Sequence, residues 1–291
     1  MRWVPAAAVL VAAACHSAKR APVSVAPPVA PAAPPPADAG AAPDTAARAE
    51  AAWARREADP AALDEAISLW EEAAVRSVDP SALLLDAARA RRLRVLRSGR
   101  TGDSDAAASA ADAQGCATDA HRSWGAQFPA AAAQVDGKHE AVEVFALVGP
   151  AAAEALYLDA VCGGAWARLQ GFTPLIERRG ELTAALRRVA QLAPELDGGG
   201  PERELGMLLA ALPAYAGGDL DEARKQLEAA VARAPGDARN RLGLARTVAV
   251  KAQDRALFEE QLRLVTKGDD AVASADAAAL LEREEELFGP R

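Results

Sequence analysis

Between Asp219 and Pro235 the sequence reads as a single amphipathic helix that cannot stand alone. Asp219 suits the N-cap, and Asp221 and Glu222 fall in the first turn, where the helix dipole favours negative charge. Leu220, Ala223, Leu227, Ala230, Val231 and Ala234 recur at helical spacing and form one apolar face. Arg233 closes the last turn, and Pro235-Gly236 stops the helix. A face built mostly of alanine buries little area by itself. It is stabilised only when a second helix packs closely against it.

A second copy of this pattern lies upstream. Aligned at an offset of 157, residues 63 to 76 match residues 220 to 233 at seven of 14 positions, and Asp79-Pro80 repeats the proline exit. An alanine, a large apolar residue four later, an alanine three after that, and then a proline is the second-helix pattern of a tetratricopeptide repeat. Such units are stable only when stacked. The same start and stop signals predict helices over 81–97, 105–128, 138–148, 151–170, 174–193, 202–216, 238–252, 255–266 (with Asp254 as N-cap) and 275–288. Period-2 alternation of β-branched residues is weak throughout. The expected fold is therefore all-α, a tetratricopeptide-repeat-like stack of helical hairpins (an α-solenoid) with a concave face.

The N-terminus has a different character. Arg2 precedes a short apolar run, and small residues lead to Cys15, the order of a secretory signal. The run is too short to span a bilayer. Cleavage after residue 14 would leave Cys15 N-terminal. This resembles the bacterial lipobox, in which that cysteine takes acyl chains that anchor the protein. Residues 15–43 then read as a linker, with eight prolines between Ala21 and Pro43. Residues 44–291 are the expected helical repeat domain. His16, rather than an aspartate, follows the cysteine, which favours the outer membrane over the inner. The expected location is the periplasmic face of the envelope, with membrane contact through the lipid on Cys15.

Charge narrows the classes further. The chain carries −8, and loss of residues 1–14, whose only charge is Arg2, makes it −9. An acidic chain lacks the basic footprint of a nucleic-acid binder. His16, His121 and His139 have no ligand spacing to one another or to a cysteine, so neither a metal nor another cofactor is expected. No nucleophile elbow or phosphate-loop signature occurs, and Gly198-Gly199-Gly200-Pro201 has neither the preceding strand nor the following lysine. An enzyme is not expected. Cys116 and Cys162 lie on two predicted helices and could form a disulfide if those helices pack together, or stay as small buried thiols. Arg89, Arg91, Arg92, Arg94, Arg97 and Arg100 form a cluster. It reads first as a solvated face balanced by acidic helices, and second as a contact for an acidic partner or lipid head groups.

Four further motifs carry a family likeness. They are Ala155-Leu156-Tyr157 with Gly164-Ala165-Trp166; the stretch Ala190-Gln191-Leu192-Ala193-Pro194 through Gly200; Gly217-Gly218-Asp219 leading into Ala223-Arg224; and Ala249 through Phe258, followed by Leu280-Leu281-Glu282 and Glu286-Leu287-Phe288. In these, the segment from Pro150 onward resembles the TatT component family of TRAP-type transporters, helical periplasmic lipoproteins related to tetratricopeptide repeats. The resemblance implies an auxiliary, protein-binding component that partners a periplasmic solute-binding protein, with no catalysis. Two other readings remain open: a repeat scaffold for an envelope assembly, and a carrier of a hydrophobic small molecule. A homo-oligomer is compatible with each. Candidate partner- or ligand-binding residues are Tyr157, Trp166, Tyr215, Asp254 and Phe258. Tyr157 and Trp166 are nine residues apart, so they lie on opposite sides of one helix. Each candidate has a plainer role as well: core packing for the aromatics and a helix N-cap for Asp254.

Overall fold

Aspartates begin five of the helices in the computed structural model, which describes residues 41–101, 106–135 and 139–290. Asp59, Asp219, Asp237, Asp254 and Asp270 each accept a backbone N–H from the first turn of the helix that follows. This satisfies donors that have no partner inside the helix. The helices are α1 (Ala41–Arg55), α2 (Pro60–Arg76), α3 (Ser81–Thr101), α4 (Ala106–Gln127), α5 (Pro129–Val135), α6 (Ala141–Ala146) and α7 (Ala153–Gln170). They continue with α8 (Phe172–Leu192), α9 (Gly200–Ala211), α10 (Leu220–Arg233), α11 (Ala238–Gly243), α12 (Arg255–Thr266), α13 (Ala271–Glu282) and α14 (Glu284–Phe288). Among the described residues there is no strand, so the chain is an all-α stack. The signal, Cys15 and the linker up to residue 40 lie outside the described residues.

Each long helix packs on its neighbour in sequence, from α1 on α2 through α12 on α13, with α5 and α6 inserted between α4 and α7. The two related segments become α2, between α1 and α3, and α10, between α9 and α11. Alanine makes this possible. Ala49, Ala52, Ala66, Ala87 and Ala90 are all buried where α1, α2 and α3 meet around Leu63, Ile67 and Trp70. The main core runs from α3 to Leu244 and Val248 beyond α11 and includes Trp124, Tyr157, Leu182 and Leu227. A third cluster, around Phe258, Leu262 and Ala277, closes the C-terminal end. No described helix is long and apolar enough to cross a membrane.

Several boundaries depart from the sequence expectation for identifiable reasons. α1 takes in residues 41–43 of the expected linker; Pro43 sits in its first turn, where a missing N–H costs no helical bond. α5 was not anticipated and starts at Pro129, a residue suited to a first helical position. The expected helix over 202–216 stops at Ala211, because Pro213 forces Leu212 into an extended conformation (φ −82°, ψ 145°). The helix expected over 275–288 begins four residues earlier, capped by Asp270, and breaks at Arg283. The helix expected over 238–252 is α11 followed by a π-helical stretch, Leu244–Ala249.

α4 and α7 run antiparallel: Cys116 meets Cys162 near the middle of both helices, and Trp124, later in α4, meets Asp159, earlier in α7. The two cysteines form a disulfide with a Cα–Cα separation of 5.8 Å, which resolves the alternatives left open above.

Candidate functional site

The loop between α8 and α9 holds three successive left-handed residues, Asp197 (φ 52°), Gly198 (φ 64°) and Gly199 (φ 78°). Glycine adopts this conformation freely, and aspartate is among the few other residues that tolerate it. The turn presents the Asp197 carboxylate to α7 and α9. Gly200 is needed for proximity: a Cβ there would lie 2.4 Å from the Tyr157 hydroxyl. The glycine run that failed as a phosphate loop is thus a device for placing one carboxylate.

Four donors converge on Asp197. The Tyr157 hydroxyl donates to Oδ2 at 2.7 Å, Arg92 at 2.9 Å and Arg203 at 2.7 Å, while Arg239 reaches Oδ1 at 2.8 Å. Burial pushes the Asp197 carboxyl up, but Arg92, Arg203 and Arg239, with the phenol, outweigh it and hold the group below its ordinary range. The Tyr157 phenol moves the other way: burial, and then the carboxylate of Glu204, raise it. Arg203 is itself only 3% exposed and also donates to the Asp197 carbonyl and to Asn240 Oδ1, both at 3.1 Å. Asn240 in turn donates to the carbonyls of Gly198 and Ala230, each at 2.9 Å. One polar network therefore joins α3, α7, α9, α10, α11 and the loop.

This network forms the inner wall of a cleft. Two adjoining cavities share Arg92 and Leu96. The first, about 290 Å³, lies over Tyr157 and Asp197. The second, about 280 Å³, is lined by Arg92, Arg168, Arg203, Arg239 and Arg246, with Glu204 as its one acid. Val95, Leu96, Val161 and Met207 supply its apolar part. Arg246 stands on the π-helical stretch. Arginine forks suit carboxylate and phosphate groups, so the arrangement can bind an anion. Nothing in it supplies a nucleophile beside a base.

Of the five candidate residues, only Tyr157 belongs to this cleft. Trp166 lines a separate cavity of about 400 Å³ with His121, Asp159, Arg122 and Arg178. There the buried Asp159 accepts the Trp124 indole N–H at 2.8 Å and lies 3.0 Å from His121 Nδ1. The nine-residue spacing thus puts the two aromatics on different cavities. Tyr215 neither packs between helices nor lines a cavity. It is 86% exposed on a short 3₁₀ turn, because Pro213 ends α9 before residue 215 could join the helical face. Asp254 caps α12 through Leu257 N–H at 3.0 Å and pairs with Arg224 at 3.1 Å. Phe258 is fully buried against Phe288, with ring centroids 5.0 Å apart, and so is a core side chain with no surface to offer a ligand.

Five of the six clustered arginines are paired with acids, and the Arg100 side chain lies outside the described residues. Arg89 pairs with Glu154, Arg91 with Glu71 and Asp119, Arg92 with Asp197, Arg94 with Asp64 and Asp112, and Arg97 with Glu57. Arg91 and Arg92 have side chains only 18% and 14% exposed. These pairs tie α3 to its neighbours. Sequence reasoning missed Asp197, Arg203, Asn240, Arg168 and Arg246 as members of a site. The one signal available was an aspartate directly before three glycines, a place where a left-handed residue with an acceptor side chain is useful.

A family model described as TRAP transporter T-component matches residues 124–288, which is 165 of the 291 residues. The match takes in Tyr157, Arg168, Asp197, Arg203 and Arg246, and leaves out Arg92 on α3. No curated protein matches the chain.

Proposed function

The chain belongs to the TRAP transporter T-component family, and from that premise we propose that it is a lipid-anchored periplasmic subunit that docks a solute-receptor protein for a TRAP-type uptake system. The family match carries this reading. Its family is one of transporter components rather than of enzymes. Anchoring would come from Cys15 after removal of residues 1–14, with the proline-rich segment as spacer and the outer membrane as the site. The Cys116–Cys162 disulfide supports an oxidising compartment, since such bonds persist outside the reducing cytosol. Stacked helical hairpins of the tetratricopeptide type offer extended surfaces for a protein partner. Of the five candidate residues, Tyr215 is the one whose exposure suits contact with that partner.

The test is to tag the intact protein, purify it from envelope extract and identify what accompanies it. A solute-binding protein as the dominant companion is the expected result. Reproducible recovery of envelope-assembly proteins with no solute receptor would replace this reading with that of a scaffold.

A further inference from the structure

The charges around the inner part of the cleft do not balance. Arg92, Arg168, Arg203, Arg239 and Arg246 line it, and the carboxylates that face them are Asp197, Glu204 and Asp237, while Asp276 lines a neighbouring cavity with Arg246 without pairing with it. Five cations meet three anions. The surplus is localised: among the described residues, the side chains of Arg168 and Arg246 have neither an ion pair nor a hydrogen bond, whereas the other three are paired. Deeper in, Arg92 donates through Nη2 to Asp197 while its Nη1 is buried with no partner. A buried donor left unsatisfied is costly, and an unpaired pair of guanidiniums attracts an acid group.

We propose that this cleft binds a small organic anion with an apolar body, its acid group held between Arg168 and Arg246. The inference rests on reading the chain as a binding component and names what its cleft would bind. Val95, Leu96, Val161 and Met207 receive the apolar body, and methionine adapts its shape to irregular partners. The volume, about 280 Å³, suits a compact ligand of about ten non-hydrogen atoms. Independent support comes from the backbone. The π-helical stretch Leu244–Ala249 is the one interruption of its kind among the described helices, and it carries Arg246. Such stretches are strained relative to an α-helix and recur where a side chain must be aimed at a site. An acidic peptide laid across the mouth would satisfy Arg168 and Arg246 but leave the apolar wall of Val95, Leu96, Val161 and Met207 uncovered, so a small ligand fits better.

The full chain is titrated calorimetrically in zwitterionic nanodiscs, with empty nanodiscs as the blank. The probes are octanoate, octyl phosphate and the neutral octanol. At least one anion is expected to bind about tenfold or more tightly than octanol. Tighter octanoate identifies a carboxylate ligand, and tighter octyl phosphate a phosphate ester. The double variant Arg168→Ala/Arg246→Ala, at exposed positions whose loss spares the core, should cut anion affinity about tenfold or more while leaving the melting temperature unchanged. Anions that bind no better than octanol, no heat at millimolar anion, or full anion affinity in the double variant would each overturn the proposal. So would a double variant that loses its protein companion while the parent binds no anion, since the cleft would then be a protein dock. Loss of the solute-receptor companion from the parent protein, with anion binding intact, would instead overturn only the partner reading.

Discussion

Tyr157 donates its phenolic hydrogen to Asp197 Oδ2 at 2.7 Å, and the carboxylate can be there because residue 197 takes a left-handed backbone. The pair links α7 to the loop between α8 and α9. It also sets the inner wall of the cleft, because the same oxygen receives Arg92 and Arg203.

Asp197→Asn separates charge from backbone, since asparagine also tolerates a left-handed conformation. Arg92 and Arg203 would lose their shared counter-charge. A loss of about 2–3 kcal/mol is expected in urea unfolding. The pH dependence has a defined sign. The native carboxyl sits below its ordinary range, so its stabilisation is present above that range and disappears as pH falls through the native value. The parent should therefore lose stability on acidification below the ordinary carboxylate range, and Asp197→Asn should lose less there.

Asp119 should behave in the opposite way. Burial, and then the neighbouring Glu71, raise its carboxyl to about 6 against the pull of Arg91. A native value above the unfolded one means that the stabilisation is complete at low pH and is lost as pH rises through about 6. Thermal melts of the parent should show this component falling between the ordinary carboxylate value of 3.8 and about 6, and levelling off above that. Asp119→Asn should remove that part of the slope; an unchanged slope would refute the assignment.

Cys116→Ser/Cys162→Ser should destabilise the protein by on the order of 4 kcal/mol, given the 46 residues that separate the two cysteines. Urea midpoints with and without reductant check this. The parent should shift on reduction and the double variant should not.

Gly200→Ala tests packing rather than backbone freedom, because Gly200 follows the left-handed residues and is not one of them. The added methyl would meet the Tyr157 hydroxyl, and a cost of about 1–3 kcal/mol is expected. Combining it with Tyr157→Phe, which removes that oxygen, should recover part of the loss in the same unfolding assay.

The helices were legible because their signals are local. Asp219, Asp254 and the apolar spacing of residues 220–234 lie within a few residues of what they determine. Boundaries slipped where a second local signal competed, as Pro213 did with the apolar run before Tyr215. The π-helical stretch was not legible, because Leu244–Ala249 reads as ordinary helix. The cleft was the least legible feature. Arg92, Asp197, Arg203 and Arg239 are scattered over more than a hundred residues and converge only when the helices stack. Phe258 looked like a binding candidate because an aromatic beside a family motif carries no mark of which way it faces, and its contact with Phe288 depends on the chain's last helix.

The π-helical stretch also sets a phase. An α-helix advances about 100° per residue, and a π turn absorbs one residue more than an α turn does. Removing a single residue from Leu244–Ala249 would let the segment relax to an ordinary helix, and everything beyond it would arrive rotated by about that angle. Lys251, which now donates to the Ala210 carbonyl, and Asp254, which caps α12, would both miss their places. The mouth of the cleft and the docking of the C-terminal helices are therefore indexed by the same extra residue, and a change in length there cannot alter one without the other.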